Sequence, residues 1–310
     1  MSEFVESEYL SYLWKGQLRE AVDYLSKFPE KRELHDKYIQ VFEEGQYFQR
    51  TDNQIVGAID KIYQEYYRNV FWKRMQIEVA DKLLLQELEA FCEKTSGAID
   101  GDTEDKIMSI IKGEGYECLC GKTQGYYGPY IWKSSTVLTY EVELPDCIEP
   151  YPVVMMDGFI SRSWLDFISF GRTGAGGWAD ENGTLCCVKG VYDTNSDDFI
   201  YSFLKHEAQH AYDKKRFPNI TSTDLEYRAK LVELIYCSDV QIIKKLIDEA
   251  DNTNPDNSHA VAAYRIISNL SKKIYGCDYM NDENAWKDQL SDVKKYAKEL
   301  LEESSEALSA

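Results

Sequence analysis

The chain has 310 residues, of which 44% are hydrophobic and 29% charged, and its formal net charge is −19 at pH 7. This composition is that of a globular protein with one large core or two ordinary ones, and it excludes disordered, fibrous and disulfide-scaffold classes. The negative charge would repel a phosphate backbone, so we expect no nucleic-acid partner.

The sequence also bears on the cellular location. It contains no run of about 18 apolar residues that could span a bilayer, and its start, MSEFVESEYL, lacks the basic and apolar stretches of a secretory signal. We therefore expect a cytoplasmic protein that does not bind a membrane. The eight cysteines fit a reducing compartment, and we interpret them as small buried hydrophobes.

The N-terminal third of the chain predicts helices. From Glu3 to about Lys112, apolar residues recur every three or four positions and Gly and Pro are rare. One segment faintly resembles a tetratricopeptide unit, but no second copy follows at a fixed period, so an ordinary helical layer is favoured. A polar stretch from Thr95 to Asp105 separates this region from one with a different residue pattern. We predict an all-helical domain or subdomain over residues 1–112, which could bind a protein partner, and a second domain over 113–310.

The second domain begins with predicted strands. Short β-branched and aromatic runs, such as YIWKSSTVLTYEVEL, PVVMM and TLCCV, indicate a small sheet. The Gly-rich segment from Ser169 to Gly183 lacks the lysine of a phosphate-binding loop and is interpreted as a rim or connector. Helical periodicity returns after Ser196, and further helices follow the one that ends before Pro218. The expected fold class is α+β: a helical N-terminal half, a small β-sheet and a helical core.

Two of the chain's four histidines lie in the sequence HEAQH, which runs from His206 to His210. Residues four apart on a helix share one face, so both imidazoles can bind a single zinc ion. Glu207 then lies beside the metal, where its carboxylate can take a proton from the water that zinc activates. A chance pair on a solvated helix is the alternative, because the pattern is short.

A catalytic zinc site needs a third protein ligand. The next predicted helix, DLEYRAKLVEL, offers Glu226 and Glu233, which lie two turns apart on one face. We favour Glu226, because it lies near the turn between the helices and the small Ala229 allows close packing there. Glu233 stays the alternative, and Asp213 is expected to orient one of the histidines.

This arrangement resembles the gluzincin class of metallopeptidases, in which H-E-x-x-H is followed on the next helix by a glutamate ligand, often in an E-x-x-A setting. The resemblance covers His206 to Glu233, with a shorter spacing before the glutamate than in many members. It implies a zincin-like core, Zn²⁺ as the cofactor and a peptide or protein substrate. It also implies an oxyanion-stabilising His or Tyr on a later helix. We assign that catalytic role to His259, with Tyr264 as the other candidate.

Similar peptidases bind the substrate as an extended strand along a sheet edge beside the metal helix, which here indicates the run from Thr184 to Lys189 or its neighbour. Two other functions stay open. The chain could be a regulatory or interaction module with a structural or weakly active zinc site, or a zinc amidohydrolase that acts on a non-peptide amide.

Overall fold

A computed structural model describes residues 3–95, 100–180, 183–255 and 257–309. These residues form a mixed α+β structure of helices and small sheets. The chain divides into two compact units, the first formed by Met1–Ser135 with Met156–Ala175 and the second by Thr136–Met155 with Gly176–Ala310. Within the described residues, none of the helices combines the length and apolarity needed to cross a membrane.

The first unit is built mainly from helices, which confirms the helical prediction for the described part of this region. Asn53 and Asp102 cap two of these helices, since their side chains accept hydrogen bonds from backbone N–H groups of the first turn. The helices bury a core rich in Tyr and Phe. They are α1 (Glu6–Trp14), α2 (Leu18–Leu25), α3 (Arg32–Tyr38), α4 (Gln54–Tyr67), α5 (Ile77–Thr95) and α6 (Thr103–Gly113).

Short strands complete the first unit. One hairpin and one three-stranded antiparallel sheet are present, the latter in the order β1-β4-β7. Their strands are β1 (Glu117–Leu119), β2 (Lys122–Thr123), β3 (Tyr126–Tyr127), β4 (Tyr130–Trp132) and β7 (Ser161–Arg162).

The predicted domain boundary after residue 112 differs from the observed division. Helix α7 (Ser163–Ile168) follows β7 and buries Trp164, Phe167 and Ile168 in the aromatic core of the first unit. These apolar side chains hold a late segment of the chain in the first unit. The polar stretch that suggested the boundary lies partly outside the described residues, which exclude 96–99.

The second unit contains most of a four-stranded sheet in the order β5-β6-β9-β8. Its strands are β5 (Ser134–Glu143), β6 (Ile148–Asp157), β8 (Gly177–Ala179) and β9 (Leu185–Val188). Edge strand β8 pairs antiparallel with β9, with Gly177 opposite Cys187. The Gly-rich segment, interpreted from sequence as a rim or connector, therefore contributes a strand. The strand can pass this close to its neighbours because residue 177 is a glycine. An added Cβ would lie 2.3 Å from the Phe203 ring and 2.5 Å from the Cys186 carbonyl oxygen.

Helices pack against this sheet. A π-helical stretch, Asp198–Lys205, leads directly into α8, and α9 makes contacts with α8, α11 and α12. The apolar faces of these elements form the second core, with Trp286 fully buried. The helices are α8 (His206–Arg216), α9 (Ser222–Tyr236), α10 (Gln241–Glu249), α11 (Ser258–Tyr275) and α12 (Leu290–Ser309).

Candidate metal centre

The first turns of α8 carry both histidines of the HEAQH sequence. His206 and His210 are buried, and their ring centroids lie 4.6 Å apart in an edge-to-face arrangement. Phe203 and Leu204 precede them and are buried in the second core, which anchors the helix against the sheet. The spacing of four residues thus places two imidazoles together at the inner face of α8.

Glu226 on α9 joins the two histidines. Its Oε2 lies 3.4 Å from Nε2 of His206, and its Oε1 lies 3.3 Å from Nε2 of His210. One potential ligand atom from each of the three residues lies within 4.8 Å of the other two. Thr221 caps α9 by accepting a hydrogen bond from the backbone N–H of Asp224, which fixes the start of this helix next to α8.

Glu233 contacts the opposite side of the His206 ring. Its Oε1 accepts a hydrogen bond of 2.6 Å from Nδ1 of His206, and both side chains are buried. A carboxylate on Nδ1 fixes the ring orientation and leaves Nε2 free to act as a ligand. Of the two glutamates that the sequence offered, the structure therefore places Glu226 within the group of three and Glu233 behind it.

The buried carboxylates and imidazoles of this group shift one another's pKa values. Burial alone would lower the pKa of His206, but the carboxylates of Glu233 and Glu226 raise it to about 10. Burial would likewise raise the pKa of Glu226, but its pairing with His206 and His210 holds that pKa well below the usual range of a carboxyl. The group thus collects negative charge around two imidazoles, an environment that favours a bound cation.

Two buried atoms of this group make no hydrogen bond of good geometry to a described residue. They are Nδ1 of His210 and Oε2 of Glu226, although imidazole nitrogens of His206 and His259 lie 3.4 and 3.1 Å from that oxygen. A coordinated cation would give this carboxylate oxygen a direct partner of opposite charge. Two imidazoles and one carboxylate are also a donor set that zinc accepts in catalytic sites. The residues present therefore fit a zinc ion.

Glu207 occupies the position next to His206 on α8 and is partly buried. Its carboxylate is near enough to contribute to the raised pKa of His206. It also contributes, after burial, to raising the pKa of Tyr192 to about 12. The sequence-predicted base thus lies within electrostatic range of both His206 and Tyr192.

His259 reaches the group from α11. Its Nδ1 lies 3.1 Å from Oε2 of Glu226, and 55% of its side chain is exposed. Tyr264 instead stacks on Tyr279, with ring centroids 5.2 Å apart. Residues five apart on a helix point in different directions, so only one of the two candidates faces Glu226.

Asp213 does not orient a histidine, contrary to the sequence prediction. Its carboxylate makes a bidentate ion pair with Arg228, with distances of 2.8 and 2.9 Å, and both side chains are fully buried. Arg228 also donates to the Ser305 hydroxyl on α12. The aspartate therefore joins three helices.

Sequence reasoning missed Arg228 and the pair formed by Lys230 and Glu249. Nζ of Lys230 lies 2.7 Å from Oε2 of Glu249, whose other oxygen lies 3.9 Å from Nδ1 of His259. Nothing in their local spacing marks these residues, because their partners are distant in sequence.

Comparisons with known proteins leave the site to be interpreted from its own geometry. No protein-family model, no curated protein and no solved structure matches the chain.

Proposed function

We propose that the protein is a zinc-dependent peptidase with a zincin-like core of the gluzincin type, in which His206, His210 and Glu226 bind the metal. The observation that carries the proposal is the buried group of these three residues, with Glu207 beside it. The eight free thiols fit an activity in the cytoplasm, where thiols stay reduced.

The chemistry requires a metal, a base and an oxyanion donor. Zinc at such a donor set polarises a carbonyl and lowers the pKa of water. Glu207 accepts the proton of the attacking water and later delivers it to the leaving amine. His259 donates a hydrogen bond to the developing oxyanion, since its imidazole extends from α11 to Glu226 and is half exposed.

Strand β8 is the proposed peptide-binding edge. Among the described strands it lies at the edge of its sheet, and it packs against α8, so a peptide that pairs with this edge would bind near the metal helix. A peptide that adds to this edge would be held by main-chain hydrogen bonds, which give affinity with modest demands on sequence. The substrate class that follows is an extended peptide or an unfolded segment of a protein.

A comparison of two matched variants tests this function. Glu207→Gln should retain zinc and lower the turnover of a fluorescence-quenched peptide library by about 10²- to 10⁴-fold, because the base is lost and the ligands are not. Glu302→Gln makes the same substitution at an exposed site on α12 and should leave turnover unchanged. Cleavage that is equal in all three proteins would exclude the mechanism. Zinc retention without cleavage in the wild type would favour an interaction module or a different amide substrate.

A further inference from the structure

The four-stranded sheet has a second edge that the proposed reaction does not use. Strand β5 pairs with β6 and has no other neighbour among the described strands. It is ten residues long, whereas β8 at the opposite edge has three. An unpaired edge of this length is a template for pairing with another chain.

The exposed part of β5 is uncharged and carries two exposed apolar side chains among small polar ones. From Ser134 to Tyr140 the strand reads SSTVLTY, and the side chains of Val137 and Leu138 are 61% and 43% exposed. These two residues are consecutive, so they point to opposite faces and both faces of the strand are open. Ile148, which begins β6 in the same hairpin, is 68% exposed. Natural edges are usually protected by charges, prolines or short length, and this segment has none of these.

The other half of the strand is fixed in the second core. Tyr140 packs on Phe199 with ring centroids 5.5 Å apart, and Val142 is 2% exposed. The hairpin is closed by a hydrogen bond from the Leu144 N–H to the Cys147 carbonyl. The edge is therefore held in an extended form before any partner binds, which lowers the entropic cost of pairing.

Charges flank the uncharged segment with opposite signs. Lys133 precedes it and Glu141 follows it, and neither has an ion-pair partner in the described part of the chain. In a two-fold antiparallel pairing centred on Val137, each lies four residues from the centre, so Lys133 of one copy faces Glu141 of the other. A centre at Leu138 would instead bring Lys133 opposite Glu143. Both registers give two cross-strand pairs of opposite charge, which is the arrangement that stabilises adjacent strands.

We propose that two copies of the chain associate through their β5 strands, which pair antiparallel and join the two four-stranded sheets into one. The second copy is the occupant that fits best, because the edge is complementary to itself in charge. The dimer leaves β8 and α8 free, so both copies keep an open candidate active site. Association and zinc binding are therefore independent properties of this chain.

Charge reversal on the full-length protein tests this dimer. The wild type should sediment as a dimer, and Lys133→Glu should weaken association by at least about tenfold because two attractive pairs become repulsive. Adding Glu141→Lys to the same chain should restore the dimer. Mixing the two single variants should give a heterodimer, since each then offers the charge that the other lacks. Rescue by Glu143→Lys in place of Glu141→Lys would assign the register centred on Leu138.

Matched reversals on α12 serve as controls. Lys298→Glu and Glu302→Lys make the same charge changes at exposed positions and should leave the dissociation constant of the dimer unchanged. A wild-type chain that stays monomeric at ~100 μM would overturn the proposal, since cross-strand pairing of this length should produce at least micromolar association. A dimer that Lys133→Glu does not weaken would also overturn it. The same holds for a loss of association that neither Glu141→Lys nor Glu143→Lys restores. Metal content is measured on each variant and should stay constant.

Discussion

Glu226 and Glu233 lie two turns apart on α9, and they contact different atoms of the same imidazole. Glu226 faces Nε2 of His206, and Glu233 accepts a hydrogen bond from Nδ1. This difference gives the two carboxylates different roles in the proposed site. One would bind the metal directly, and the other would hold the ring in position.

Their removal should therefore have unequal effects on zinc affinity. Glu226→Ala removes a proposed ligand and should abolish stoichiometric zinc binding. Glu233→Ala should lower zinc affinity by about 10- to 100-fold while the bound stoichiometry at saturation stays unchanged. Competition against a chelator of known affinity measures both. The reverse order of effects would make Glu233 the ligand and contradict the assignment.

Asp213 contributes to the stability of the fold through its buried ion pair with Arg228. Asp213→Ala should lower the free energy of unfolding by about 3–5 kcal/mol, because it leaves the Arg228 guanidinium buried and unpaired. Asp146→Ala is a matched control, since Asp146 pairs with Arg216 at 2.9 Å on the surface and its loss should cost about 0–1 kcal/mol. Chemical denaturation of both variants measures the difference. Equal losses would show that the buried pair is not what holds α8, α9 and α12 together.

At the scale of the elements, the proposed substrate edge depends on a close approach between strand and helix. Gly177 in β8 has no room for a Cβ, because the Phe203 ring and the Cys186 carbonyl occupy that space. Gly177→Ala should destabilise the protein by about 1–3 kcal/mol through overpacking, and it should lower peptide turnover by displacing β8 from α8.

The control for that substitution is Gly113→Ala. Gly113 lies at the end of α6, and a Cβ there would meet nothing within 4 Å. Alanine is a better helix former, so this change should be neutral or stabilise the protein by up to about 1 kcal/mol. Thermal denaturation and peptide assays on both variants compare the two sites. If the two glycines tolerate alanine equally well, β8 does not require the close contact.

Local patterns predicted the helices and the pair of histidines, because a helix places residues four apart together whatever the rest of the fold does. Glu226 could be favoured from its position near the turn between α8 and α9, which is also a local property. The hydrogen bond that Nδ1 of His206 donates to Glu233 could not be predicted, since it depends on the rotation of α9 against α8. Likewise, β8 was missed because its glycine satisfies a tertiary contact that no sequence period records.

The whole chain divides differently from the predicted arrangement. The sequence predicts a helical N-terminal region that is separate from all later residues, but Met156–Ala175 belongs with the first unit. Such a return depends on contacts with residues far earlier in the chain, since Phe167 packs on Phe42 with ring centroids 5.4 Å apart and Trp164 stacks on Phe71 at 5.1 Å. Composition and periodicity therefore predicted the class of fold and the order of its elements, but not which segments pack together.

The second unit contains every residue of the proposed metal centre, so a metal bound there would link its helices. His206 and His210 belong to α8 and Glu226 to α9, and a shared ion would hold these two helices together. Ligands that bind only the folded state stabilise it in proportion to the logarithm of their concentration over the dissociation constant. Zinc should therefore raise the melting temperature of the wild type, and a chelator should lower it.

The zinc content of the purified wild type, His206→Ala and His210→Ala, measured by mass spectrometry after equilibration with excess zinc and gel filtration, tests the central claim most directly. We predict one zinc per chain in the wild type and a loss of stoichiometric zinc in both variants, with His35→Ala as the control that keeps it. Circular dichroism of each protein establishes that it is folded. A wild type that binds no zinc, or stoichiometric zinc that survives both substitutions, would contradict the account.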